Sequence, residues 1–255
     1  MPSDSDESLA WPEIVTKIRA RTPARLIVGR SGAAYRTGTQ LELRAAHANA
    51  RDAVRAELDL EKHLGADFVN QWGLFEVCTR ARSKDEFLLR PPLGRSFSEA
   101  SRSDLLKLCR PTNDLQIAIG DGLSVAAVSA QVPILLPLLY QGAKARCWTV
   151  GQTFVIRHCR VGILNEIGEL LRPTVAILLI GERPGLATAV SLSAYLAYCP
   201  VAAHTDADRN LISNIHDRGV KADAAARRIL NLAAQMMKAK GSGSQLREQS
   251  PALET

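Results

Sequence analysis

The residues with the clearest chemical potential lie at 181–185, Gly-Glu-Arg-Pro-Gly. An acid and a base, Glu182 and Arg183, follow directly on the apolar run Val175 to Ile180. A short apolar run without polar alternation, closed by glycine and proline, reads as a strand buried on both faces that ends in a tight turn. In open α/β sheets the ligand sits outside the carboxyl ends of the strands. Glu182 there could accept a hydrogen bond from a ligand hydroxyl or amide, or it could pair with Arg183 or another basic residue.

Two further turns are expected on the same sheet edge, DGLS at 121–124 and RHCRVG at 157–162. If the strands are parallel, DGLS and GERPG lie at carboxyl ends, where helix N-termini offer unpaired N–H groups to an anion. DGLS is not the G-x-G-x-x-G of dinucleotide binding, and Asp121 is as well suited to capping a helix as to touching a ligand. A polar stretch at 204–219, HTDADRNLISNIHDRG, could close over a ligand or hold a partner chain. Within it Asn214 to Gly219 spell N-x-H-x-x-G, one residue away from a histidine signature for cobalamin. The aspartate that would set the imidazole tautomer is missing, so His216 is read as coincidental.

No serine, cysteine or histidine has a nucleophile's local context, and G-x-S-x-G is absent. His47 and His63 lack a Cys or carboxylate partner at ligand spacing. The glycine-punctuated basic segment TPARLIVGRSGAAYRTGTQ could cradle phosphate, yet it lacks P-loop spacing, and an irregular or interface segment is the favoured reading.

These residues must be positioned by surrounding elements. A short helix is expected over Trp11 to Ala20 and an amphipathic one over Leu41 to Leu64, with another near Ser103. From Asn113 onward strand and helix alternate: a strand at Leu115 to Ile119, a helix at Leu123 to Tyr140 kinked or broken by Pro133 and Pro137, and a strand at Phe154 to Ile156. Helices at Ile163 to Leu171, Ala187 to Tyr198 and Ala222 to Lys240 complete the pattern around the opening strand. The expected class is α/β: a Rossmann-like, mostly parallel sheet flanked by helices, preceded by a smaller helical N-terminal domain. Three regions follow: 1–112, helical with a disordered start; 113–240, the Rossmann-like domain; and 241–255, a flexible tail.

Composition is that of a globular protein, with 46% hydrophobic and 23% charged residues. The formal charge of +6 admits acidic partners, but the arginines are dispersed among acids and no nucleic-acid signature appears. Five widely spaced cysteines without a C-x-x-C pair favour reduced thiols and a cytoplasmic setting. The acidic opening MPSDSDESLA is no secretory signal. Gly122 to Ala143 carries no charge and is long enough to span a bilayer, yet its serines, glutamines and prolines favour a helix buried against a sheet.

Several long motifs, DGLSVAAV, RHCRVGILNEIGELL, VAILLIGERPGL, SLSAYLAY and TDADRNLISNI, with TPARLIVGRSGAAYRT and LRAAHANARDAVRAEL before them, resemble the small subunit of ethanolamine ammonia-lyase. The resemblance covers about residues 20–240 in the same order. It implies an adenosylcobalamin-dependent lyase that turns ethanolamine into acetaldehyde and ammonia, in which a TIM-barrel large subunit carries substrate chemistry and the base-on cofactor lies between the subunits. The family's cofactor-binding positions fall on Val161, Glu182 and Leu211, the last replacing a family cysteine; no catalytic residue and no protein metal ligand is implied. Cys159 stands where glycine is common, which bears on local backbone geometry. The location implied is cytoplasmic, inside a bacterial microcompartment where one is present, without nucleic acid or membrane as partner. The alternative from charge alone is a basic Rossmann-like nucleotide- or nucleic-acid-binding module.

Overall fold

The computed structural model describes residues 13–21 and 30–248. Much of the glycine–arginine segment and both chain ends therefore lie outside the described residues. The N-terminal part comprises α1 (Glu13–Arg21), a two-strand hairpin of β1 (Arg30–Ser31) and β2 (Ala34–Tyr35), α2 (Thr37–Arg55), α3 (Leu60–Leu64) and α4 (Ala66–Trp72). Where one amphipathic helix was expected over 41–64 there are two, because Asp59 accepts from Lys62 N–H at 3.0 Å and starts a new helix. A side chain that offers the backbone this alternative partner competes with helix continuation.

The sheet is built from β3 (Phe75–Cys78), β4 (Leu115–Gly120), β5 (Phe154–Arg157), β6 (Val175–Gly181), β7 (Leu192–Tyr198) and β8 (Asn210–Ile215), in the order β3-β5-β4-β6-β7-β8. The pairs β3–β5, β5–β4 and β4–β6 are parallel, whereas β6–β7 and β7–β8 are antiparallel. Between these strands run α5 (Lys84–Leu89), α6 (Glu99–Leu108), α7 (Val125–Ala145) and α8 (Ile163–Leu171), and α9 (Ala222–Ala239) follows the last of them. This is the expected mostly parallel α/β sheet flanked by helices. One of its strands, β3, comes from before residue 113.

Every residue of β4 and β6 is buried, which is why their sequences carry no polar alternation. One face packs against α3, α7 and α9 through residues such as Ile117, Leu179, Leu135 and Ile229. The other packs against α6 and α8 through Ala118, Leu178, Leu105 and Ile167.

One expectation is overturned and a second is narrowed. The helix over Ala187 to Tyr198 is the antiparallel strand β7, paired along its length with β6. The prolines do not break α7, which continues through Pro133 and Pro137 to Ala145. Magnitudes explain the second result. Two interior prolines cost about 3 kcal/mol each, while Val128, Val132, Leu135, Leu136 and Leu139 are wholly buried and each contributes about 1.5–3 kcal/mol. By length and composition α7 could cross a bilayer, but those residues lie in the sheet's core.

Beyond α9 the chain returns to the sheet. Asn210 Nδ2 donates to Leu246 O at 2.7 Å, Gly243 N–H donates to Asn210 Oδ1 at 2.6 Å, and Arg228 holds Glu248 at 2.6 Å through both Nε and Nη2. Residues 241–248 thus pack on the ends of β7 and β8.

All five cysteines are free. Burial pushes the Cys109 thiol up to about 11, and burial followed by the neighbouring Asp121 charge pushes Cys159 well above its ordinary value. Cys147 and Cys199 are exposed. Because the thiolate is the reactive species, iodoacetamide at pH 8 is expected to label Cys147 and Cys199 first and to leave Cys109 and Cys159 unmodified until unfolding. Peptide mass spectrometry reads the order; early labelling of Cys159 would contradict this burial.

Candidate cofactor-facing site at the carboxyl edge of the sheet

The parallel register aligns the ends of β4, β5 and β6, with Gly120 opposite both Ile156 and Ile180. Each strand then leaves through one of the turns singled out above. Asp121 is wholly buried between them. Its Oδ2 accepts from His158 N–H at 2.9 Å and its Oδ1 from Cys159 N–H at 2.8 Å. Lys84 Nζ lies 3.6 Å from Asp121 Oδ2 and donates to Gly122 O at 3.3 Å. Asp121 therefore caps no helix: the cap of α7 is Ser124, whose Oγ accepts from Ala127 N–H at 3.2 Å and donates to Ala189 O at 2.5 Å.

This carboxylate organises an awkward piece of backbone. His158 sits at φ +57°, in the left-handed region, and such strain persists only where surroundings over-determine it. Two charge-assisted bonds to Asp121, with ring contacts from His158 to Ala81 O and Glu57 Oε2 at 3.1 Å each, supply that determination. Cys159 folds back on β4: a Cβ on Gly120 would meet its Sγ at 2.6 Å. Gly122, at φ +56°, admits the crossing of the two turns, since a Cβ there would stand 2.3 Å from Gly181 O. Leu123 N–H donates to that same oxygen at 3.1 Å.

Val161, Glu182 and Leu211 come together in the lining of one cavity of about 350 Å³. Val161 stands at the entry to α8, Glu182 just past β6 and Leu211 on β8. The lining also includes Leu123, Arg160, Ile180, Arg183, Ser193, Tyr195 and Ser213. Leu211 is 46% exposed there, an apolar side chain left open to solvent.

Glu182 does not pair with Arg183. Its carboxylate accepts from Ser191 Oγ at 2.8 Å, from Ser193 Oγ and from Asn214 N–H at 3.1 Å, tying β6, β7 and β8 into one corner. The Glu182 charge, after burial, helps push the Tyr195 phenol above its usual value. A helix over 187–198 would not bring Ser193 and Tyr195 to this edge; the signal for a strand is the period-two alternation of Ser191, Ser193, Tyr195 on one face against Leu192, Ala194, Leu196 on the other.

The polar stretch 204–219 reaches this cavity through Leu211 and Ser213, as a strand and not as a loop. It contains β8, and Arg209, paired with Asp206 within the stretch, docks it against α8 by donating to Asn165 Oδ1 at 2.7 Å. A second cavity of about 470 Å³ beside it is lined by Arg102, Glu166, Asp206 and Arg209, whose charges already meet one another. The His216 ring is occupied on both sides: Nδ1 accepts from Arg218 N–H at 3.2 Å, and Nε2 lies 2.7 Å from Asn214 Oδ1. Among the described residues no group of three or more His, Cys, Asp or Glu side chains is placed to hold a metal ion.

Residues 12–247 match the family model "Ethanolamine ammonia-lyase light chain". The chain is 40% identical over 235 residues to the ethanolamine ammonia-lyase small subunit of Clostridium perfringens, covering 92% of this chain and 78% of that one. It is 38% identical to the corresponding subunit of Clostridium acetobutylicum, covering 92% and 95%. The small subunit of Listeria monocytogenes is 39% identical, with 91% and 77% covered.

Proposed function

The chain belongs to the ethanolamine ammonia-lyase light-chain family, and from that premise we propose that it is the small subunit of an adenosylcobalamin-dependent lyase converting ethanolamine to acetaldehyde and ammonia. Its carboxyl edge forms one wall of the cofactor's site, and a TIM-barrel large subunit forms the other and carries the substrate chemistry. The observation that supports this most is that Val161, Glu182 and Leu211, far apart in sequence, line the same cavity.

The lining suits part of such a cofactor. Val161, Ile180, Leu211 and Leu123 make an apolar wall, Glu182 offers a carboxylate to amide N–H groups, and Arg160 keeps a buried Nε without an acceptor. Sites for small molecules combine apolar lining with a few placed polar groups in this way. A cavity of about 350 Å³ cannot enclose a corrinoid, so a second protein surface must complete it. When bound, adenosylcobalamin supplies homolytic cobalt–carbon cleavage; this chain's residues orient it and exclude water. Leu211 supplies packing where relatives offer sulfur.

The edge has no group poised for acid–base or nucleophilic work. Asp121 is spent on internal hydrogen bonds, Glu182 accepts three and keeps acceptor capacity for a ligand donor, and burial pushes the Cys159 thiol well above its ordinary value. We assign the complex to the cytoplasm, inside a microcompartment where the cell builds one.

Co-expression with a candidate large subunit tests the proposal. The expected result is a co-purifying complex that takes up adenosylcobalamin, visible in its absorbance spectrum, and releases acetaldehyde from ethanolamine, whereas this chain alone does neither. Lyase activity without a partner, or a complex that retains no corrinoid, would refute it.

A further inference from the structure

Three guanidinium groups, those of Arg95, Arg160 and Arg183, gather around the start of α8. Arg160 and Arg183 line the cavity that holds Val161, Glu182 and Leu211, and both also line an adjoining one of about 400 Å³ bounded by His47, Arg51 and Pro184. Arg95 lies across Gly162, where an added Cβ would stand 2.9 Å from Arg95 Cγ. None of Arg95, Arg160 and Arg183 forms an ion pair among the described residues.

The acids nearest Arg160 and Arg183 are already committed, whereas Arg95 lines a separate cavity that also holds Glu166, Glu169 and Asp206. Glu182, the one carboxylate lining either of the cavities of Arg160 and Arg183, is bonded to Ser191, Ser193 and Asn214. Asp121, beneath Arg160, serves two amides and Lys84. Arg160 itself is stacked over the Phe87 ring with its guanidinium carbon 4.2 Å from the centroid, and donates to Phe87 O at 3.4 Å. Its Nε is buried without an acceptor, a costly state for a charged donor. Burial and then the Arg183 charge hold its pKa below the ordinary arginine value, against a smaller opposing effect of Asp121. The amides of Val161 and Gly162, which open α8, also find no acceptor within the described chain. A helix N-terminus flanked by unpaired guanidinium groups favours an oxyanion.

We propose that Arg160 and Arg183, with Arg95 at the rim and the Val161 and Gly162 amides at the base, form a cradle for a phosphodiester carried by the ligand of the adjoining cavity. This inference rests on the reading of that ligand as a cobalamin, whose nucleotide arm contains one phosphodiester outside the corrin ring. Planar guanidinium groups present paired donors that match two phosphate oxygens at once, which an ammonium does not. The cradle thus distinguishes a complete corrinoid from one that lacks its nucleotide arm.

The test uses the two-subunit complex and two corrinoids, cobalamin and cobinamide, which lacks the phosphate, ribose and base. Equilibrium dialysis with absorbance detection is expected to show Arg160→Gln and Arg183→Gln weakening cobalamin about tenfold or more while leaving cobinamide within about twofold, as for loss of a charge-assisted bond. Arg183→Lys should fall between wild type and Arg183→Gln. Equal losses for both corrinoids, or no loss for cobalamin, would overturn the cradle. Cobinamide binding also verifies that each variant is folded.

Inorganic phosphate supplies an independent arm. Its phosphorus resonance should broaden saturably on addition of the complex, and Arg160→Gln should abolish the effect. If the wild-type complex retains neither corrinoid, the functional reading falls, and phosphate alone then decides: saturable broadening lost in the variant keeps an oxyanion cradle, and no broadening removes it.

Discussion

Asp121→Ala is expected to cost about 3–5 kcal/mol of folding stability, the range for removing one partner of a buried ion pair. The carboxylate is wholly buried, and the Lys84 side chain facing it is only 7% exposed. Its loss strands a buried ammonium and leaves the amides of His158 and Cys159 without acceptors, at a turn whose left-handed residue depends on them. Urea denaturation at pH 7 measures the effect. The double variant Asp121→Ala with Lys84→Met should recover part of the loss, because no unpaired charge then remains. A single-variant loss below about 1 kcal/mol would show that Asp121 does not hold this turn.

The second large effect is on ligand retention. Glu182→Ala is expected to weaken corrinoid binding by the complex about 10- to 100-fold, the range for losing hydrogen bonds to a charged group. Two routes lead there: loss of the carboxylate that faces the cavity, and release of Ser191, Ser193 and the Asn214 amide, which the carboxylate gathers. Glu182→Gln separates them, since an amide of the same shape still bridges the serines but carries no charge. Near-normal affinity in Glu182→Gln assigns the residue to holding the corner, and a loss close to that of alanine assigns it to the ligand. Unchanged affinity in Glu182→Ala would remove Glu182 from the site.

The sequence made part of this legible. A fully buried strand advertises itself by lacking polar alternation, so β6 and β4 were readable, and α8 was readable from the spacing of Ile163, Ile167 and Leu171. The gathering of the three turns followed from parallel pairing alone. The antiparallel half was not readable. In β7 the small residues Ser191, Ser193, Ala194 and Ala197 mimic a helix surface, and only pairing with β6 decides between the two periods. In β8 just Ile212 and Ile215 are buried, so an edge strand with one apolar face looked like a polar loop. Four residues, Phe75 to Cys78, are too few for β3 to show any period. Within the site the missing information was long-range: that Asp121 reaches the His158 turn, and that Glu182 meets Ser193 and Asn214, depends on distant segments.

The antiparallel end of the sheet and its opposite edge differ in how they are assembled. Strands β6, β7 and β8 follow one another along the chain and zip as neighbours. β3 instead meets β5 only after α5, α6, β4 and α7 have intervened, so its docking must close a long loop and bears that loop's entropy. The hairpin corner around Glu182 is therefore locally encoded, and its low sequence separation favours early formation. The β3 edge, with the Thr79 hydroxyl that donates to His158 O at 3.0 Å, bears the longer closure, so one of the bonds at the His158 turn depends on a strand distant in sequence.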